Sequence, residues 1–345
     1  MKNGLKKWLV NAREGATIQS TIPSILAAVM AIKTAGFNVW MALLGVLGVK
    51  CAHLAMNLID DLYDYKTDML EDRLGAVRKG IKAYTAKYPY LTDGSATVAD
   101  LKKAIACFSL VAIICGAGIF IFRTLQNGFF GPDGSWWIVA IAAATAFLGF
   151  FYSAPPIKFC FWGAGEAVTG LIFGPLLMLG MSYAAAGAIV PDIAVLSFPV
   201  GLLVMNILYT HSVIDEGGDK ASGKTTLAGL IPSNGGKLAV SAILNFTPFV
   251  IAVAAVAAGW IHPAYLAVLM ALPRAIWLLR SLIGFTRGEQ AVQSAPPRWL
   301  GPMGKWEDIE KLGLGWYLAR WFAARNLLSL YCLLILVVKL ILIIV

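Results

Sequence analysis

Residues 39–68 read VWMALLGVLGVKCAHLAMNLIDDLYDYKTD, and the change of character along this stretch decides the fold class. From Val39 to Met56 the only strongly polar side chains are Lys50 and His53, whereas Asp60, Asp61, Asp64 and Asp68 crowd its end. A run of about 20 apolar residues matches a helix crossing a hydrocarbon core about 30 Å thick. Helices satisfy their own backbone groups there, which open sheets do not. The stretch therefore reads as a helix that leaves the bilayer with its acids at the water-facing end. Composition extends this to the whole chain of 345 residues: 59% are hydrophobic, 14% are charged, and the mean hydropathy is +0.74. Soluble domains hold roughly 45–50% apolar residues.

Nine such segments are expected, at about 17–35, 38–62, 101–123, 136–153, 164–187, 193–213, 238–259, 263–284 and 323–345. The expected fold is an all-α polytopic membrane protein, nine transmembrane helices in one bundle forming a single domain over 1–345. Two long connections interrupt it, about 63–100 and 285–322; the second carries Pro296, Pro297, Trp299, Trp306 and Trp316, a composition that suits an interfacial helix. Basic residues accumulate in cytoplasmic loops. Lys2, Lys6, Lys7 and Arg13 precede the first segment, and Lys66, Arg73, Arg78, Lys79, Lys82 and Lys87 follow the second. Later even-numbered connections hold Lys158, Lys220, Lys224, Lys237, Arg287 and Arg298, against Lys33 and Arg123 on the other side. The N-terminus and the acidic helix ends are thus expected on the cytoplasmic face of the cell (inner) membrane, and the C-terminus outside. The net charge of +9 is spread over membrane-adjacent loops without interleaved aromatics, which argues against nucleic acid as a partner. No cleavable signal segment is expected at the N-terminus. Cys51, Cys107, Cys115, Cys160 and Cys332 show no paired spacing and read as small apolar side chains.

Asn57, Asp60, Asp61, Asp64 and Asp68 are separated by helical steps of three or four, so their oxygens share one face. Carboxylates so crowded repel one another unless a cation compensates, and magnesium, which takes oxygen ligands and completes its shell with water and phosphate, suits them. The plainer alternative is a solvated acidic helix end paired with nearby lysines. A second group, Asp215, Glu216 and Asp219, follows the sixth segment, with Lys220 and Lys224 after it. Gly218–Thr225 has the spacing of a phosphate-cradling P-loop, but that loop follows a strand of a soluble α/β domain, and here an apolar segment precedes it.

Asp60-Asp61-x-x-Asp64-x-x-x-Asp68 resembles the NDxxDxxxD signature of UbiA-superfamily prenyltransferases, and Asp215-x-x-x-Asp219 resembles their second aspartate-rich motif. Tyr152-Ser153-Ala154-Pro155-Pro156 and Gly163-x-Gly165-Glu166 look like further family stretches, and Gly223-Lys224-Thr225-Thr226-Leu227-Ala228 is similar to the GKxTLA stretch of the 1,4-dihydroxy-2-naphthoate branch. The sequence departs from the pattern at Asp60, where Asn is usual, at Lys158, where Arg is common, and at His211 and Ile214, where Asn and Arg often stand.

The resemblance implies magnesium-dependent transfer of a polyprenyl chain from its diphosphate to an aromatic acceptor, with dihydroxynaphthoate and menaquinone biosynthesis indicated. Other acceptors in this superfamily are 4-hydroxybenzoate, haem, a chlorophyll precursor or a glycerol phosphate lipid. A cation-coupled transporter is the rival from another class. Asp61, Asp64, Asp215 and Asp219 become the expected catalytic acids, with Asn57, Asp60 and Asp68 as further metal ligands. Lys158, Lys220 and Lys224 are expected on phosphate, and Tyr152 and Glu166 at the site. Lys50 and His53 carry the polar face of the second segment about 15 Å deeper. An ionisable residue at that depth is functional by default, so Lys50 binds either an acceptor or a structural partner. Asn206 and Thr210, one turn apart, bind substrate or a neighbouring helix.

Overall fold

The computed structural model describes residues 2–70, 88–221, 223–289, 295–304, 306–311 and 313–345, with only the backbone of 2, 3, 67–70 and 221. Among the described residues the regular structure is helical. In chain order the helices are α1 (Lys2–Asn11), α2 (Ile18–Met30), α3 (Val39–Leu70), α4 (Pro89–Thr92), α5 (Val98–Asn127) and α6 (Trp136–Phe150). They continue with α7 (Gly165–Ala186), α8 (Pro191–Ile214), α9 (Glu216–Ala221) and α10 (Leu227–Leu230). The last four are α11 (Asn234–Ala257), α12 (Pro263–Thr286), α13 (Trp306–Lys311) and α14 (Gly315–Ile344).

Seven of these, α3, α5, α7, α8, α11, α12 and α14, are long and apolar enough to cross a membrane. The chain is a multi-pass membrane protein. Two of the nine expected segments are shorter helices. The first, α2, has 13 residues, about 20 Å of rise, and ends where Lys33 turns into the left-handed region at φ 71°. The fourth, α6, has 15 residues and stops at Phe150, ahead of the Pro155-Pro156 pair. In the 285–322 connection, α13 covers six residues.

The chain divides into two compact units, Met1–Phe159 with Pro175–Ala194, and Cys160–Gly174 with Val195–Val345. In the first unit α3 packs along α5, and the Leu177–Ala186 part of α7 lies against α2, α3 and α6. A capping box starts α5, the Thr97 hydroxyl accepting from Asp100 N and the Asp100 carboxylate from Thr97 N, both at 3.1 Å. Arg123 on α5 is fully buried and donates to the carbonyls of Ala184 at 2.8 Å and Gly36 at 3.0 Å. A cation at the carbonyl-rich end of α7 offsets its own desolvation. In the second unit α11, α12 and α14 pack on one another. There α7 crosses α8 closely, because Gly170 and Gly174 meet Gly201 with no side chain between the backbones. Within α7, Ile172–Leu176 widens to a π turn around Pro175, which has no N–H for the regular ladder.

Candidate functional site

The first acidic group sits on the last turns of α3, and segments remote in sequence close around it. Asp61 is fully buried and Asp64 nearly so. A buried carboxylate needs a cation or several hydrogen bonds. Arg13, in the turn after α1 with φ 57°, supplies the cation: it donates to Asp61, to the Asn57 carbonyl at 3.0 Å, and reaches Asp60 at 3.5 Å. The Tyr90 hydroxyl of α4 donates to the other Asp61 oxygen at 2.8 Å, and Ser153 donates to Asp60. Asn57 turns its amide to the Ala12 carbonyl at 2.9 Å. Burial alone would lower the Arg13 pKa, but Asp61 and Asp60 outweigh it and hold the group above its ordinary value. Burial, reinforced by Asp61, pushes the Tyr90 phenol well up. The structure thus gives buried aspartates built into a polar network in place of a solvated helix end. Their oxygen donors fit a hard divalent cation.

Among the residues expected around this group, Lys50 reaches back to Glu14 at 2.7 Å, and the His53 ring nitrogen meets the Ser20 hydroxyl at 2.7 Å. Tyr152 and Lys158 lie in the turn after α6, where Lys158 N donates to the Ala154 carbonyl and Lys158 itself adopts φ 52°. The side chain of Asp68 lies outside the described residues.

The second unit carries the other group. Here α8 gives way to α9 at Asp215 without losing its turn: Asp215 N donates to His211 O and Asp219 N to Asp215 O, both at 2.9 Å. His211, Asp215 and Asp219 therefore stack one turn apart, and one ligand atom from each lies within 4.8 Å of the others. Both aspartates are buried. Gly218 makes room for Asp215, since a Cβ there would lie 3.0 Å from its carboxyl carbon. The ring of Tyr317 on α14 meets the His211 imidazole edge-on at 5.6 Å. Glu216 collects Lys220 at 2.8 Å and Lys237 at 2.5 Å. Burial would raise its carboxyl, and these two bonds outweigh that and hold it below its usual range.

Glu166, Lys224 and Asn206 turn out to have neighbours within this unit. Glu166 at the start of α7 accepts from the Ser212 hydroxyl at 2.7 Å and from Leu227 N at 3.1 Å, fastening the Gly223–Ala228 stretch to α7 and α8. The Lys224 ammonium stands 5.5 Å from the Phe161 ring centre. Asn206 donates to Asn245 of α11 at 3.1 Å. Buried and one turn on from Asn206, Thr210 stands on the same face of α8. Arg13, Tyr90 and Tyr317 were not singled out as site residues from the sequence, and Ser153 entered only within the Tyr152–Pro156 stretch, since nothing local to them marks which distant side chain they meet. His211 could have been found by its spacing of four from Asp215.

The family model described as "UbiA prenyltransferase family" matches residues 21–295. A 1,4-dihydroxy-2-naphthoate octaprenyltransferase from Bacillus subtilis (strain 168) is 22% identical over 275 residues, covering 78% of this chain and 79% of that protein. Among solved structures, a digeranylgeranylglyceryl phosphate synthase superposes with a TM-score of 0.58 at 15% identity, covering 98% of both chains. A UbiA homologue from Archaeoglobus fulgidus bound to GPP and Mg2+ does so at 0.54 and 14% identity, covering 96% of this chain and 99% of the other. The match over most of the chain, both aspartate motifs included, shows that this protein is a prenyltransferase and belongs to the UbiA prenyltransferase family.

Proposed function

We propose that this enzyme transfers a polyprenyl chain from its diphosphate to 1,4-dihydroxy-2-naphthoate in menaquinone biosynthesis, with magnesium as cofactor and its acidic groups on the cytoplasmic side of the cell membrane. The observation that carries the reading is the burial of two aspartate groups, one in each unit, in a chain of this family. Residues 1–345 act as one catalytic domain, in which both groups are required by one reaction. Magnesium, when bound, neutralises charge that builds on the departing diphosphate. Asp61 and Asp64, aided by Asn57, Asp60 and Asp68, would hold one such ion, and Asp215 and Asp219 would hold another. Lys158, Lys220 and Lys224 add positive charge toward phosphate. The allylic C–O bond breaks, an aromatic carbon of the acceptor forms the new C–C bond, and the acceptor carboxylate leaves as CO2. An apolar helical interior keeps water from the allylic cation.

The acceptor is supported by the Bacillus subtilis relative and by the Gly223–Ala228 stretch. Family membership displaces the transporter reading. The test is diphosphate release by the purified enzyme, with magnesium, a polyprenyl diphosphate and a panel of acceptors, followed by mass spectrometry of the product. Prenylated, decarboxylated naphthoquinol is expected. Product formed only with 4-hydroxybenzoate or a glycerol phosphate would reassign the acceptor, and no diphosphate release with any of them would overturn the proposal.

A further inference from the structure

Resting on the reading that Asp215 and Asp219 take a divalent cation, we propose that His211 is a third ligand of that ion. The site of the second unit is then a mixed nitrogen–oxygen site that prefers manganese, cobalt or zinc ions to magnesium. Its donor atoms already lie within 4.8 Å of one another. Ligands about 2.1 Å from a common ion sit about 3–4 Å apart, so small side-chain rotations close the set. The backbone bonds from Asp215 to His211 and from Asp219 to Asp215 hold the three residues in one helical stack. Tyr317 packs edge-on against the imidazole. The nearby ammonium groups of Lys220 and Lys237 are engaged by Glu216.

Donor chemistry then sets the preference. Magnesium favours oxygen and sheds water reluctantly, whereas imidazole suits the later first-row ions. The first unit offers Asp60, Asp61, Asp64 and Asn57, all oxygen donors, and its histidine, His53, is held by Ser20. The chain has three histidines, and His262 caps the start of α12. A nitrogen ligand on a bound ion therefore points to His211.

The test uses the full chain purified on a tag without histidine, loaded with Mn2+ and studied by pulsed electron paramagnetic resonance. Modulation from a directly bound 14N is expected in the wild type, replaced by a 15N pattern when histidine is isotopically labelled and lost in His211→Asn. Affinity for Mn2+ at this site is expected to fall at least about tenfold in His211→Asn, the range produced even by losing an outer partner of a ligand, while Mg2+ affinity changes less than about twofold. Mn2+ bound without nitrogen modulation, yet lost in Asp215→Asn, would overturn the histidine assignment and leave the carboxylate reading standing. Mn2+ binding indifferent to both Asp215→Asn and Asp219→Asn would overturn the two together. The labelling arm needs no variant, so it decides the matter even if His211→Asn fails to fold.

Discussion

Asp61 is buried against Arg13 and Tyr90, so its replacement tests chemistry and folding at once. Asp61→Ala, Asp64→Ala and Asp215→Ala are each expected to lower turnover more than about 100-fold, because each removes a ligand from an ion opposing phosphate charge. The proteins should still insert and purify as folded species. Asp61→Ala alone should also lose about 1–2 kcal/mol of stability. It takes the nearest carboxylate from Arg13, but Asp60 at 3.5 Å remains and the Arg13 side chain is 32% exposed, which softens the cost. Turnover near wild type at saturating magnesium in any of the three counts against that residue's role.

Lys50 separates differently, because its ion pair with Glu14 joins side chains that are 38% and 43% exposed. Lys50→Met is therefore expected to leave the detergent melting temperature almost unchanged and to raise the acceptor KM, with the dependence on magnesium and prenyl diphosphate intact. A loss of melting temperature that depresses every kinetic parameter together would make Lys50 structural, and full activity with unchanged stability would remove it from both roles.

At the scale of elements, apolar runs gave the helices and small residues gave their closest contact. A Cβ on Gly174 of α7 would lie 2.6 Å from the Gly201 backbone nitrogen of α8. Backbone cannot yield as a flexible side chain does, so Gly174→Ala should cost about 1–3 kcal/mol through overpacking, read as a lower melting temperature at an unchanged acceptor KM. Wild-type stability in that variant would mean the two helices separate readily there. The long segments were legible because a run of about 20 apolar residues has few other homes. The ends of α2 and α6 were not, since the reversal at Lys33 and the turn before Pro155 depend on backbone conformation, not hydropathy.

For the whole molecule, the count of crossings decides where the termini lie. Seven crossings and nine both place the ends of the chain on opposite sides, whereas eight would place them on the same side. With basic residues gathered before α2 and after α3, an N-terminal reporter is expected to be active in the cytoplasm and a C-terminal one outside it. Both reporters reading cytoplasmic would show that only one of the short helices α2 and α6 crosses.

The amino-acid sequence by itself determined the membrane class, the helical architecture, most helix positions and the two aspartate groups. Each is written in local hydropathy or in helical steps of three and four, which neighbouring residues impose on one another. Tertiary structure alone decided which acids are buried and which cations answer them. Arg13 meets Asp61 across 48 positions of chain and Ser153 meets Asp60 across 93. Glu14, not an intramembrane acid, takes Lys50. Such pairings arise because a desolvated charge must find a partner wherever packing brings one within reach, and no local pattern in the chain encodes that.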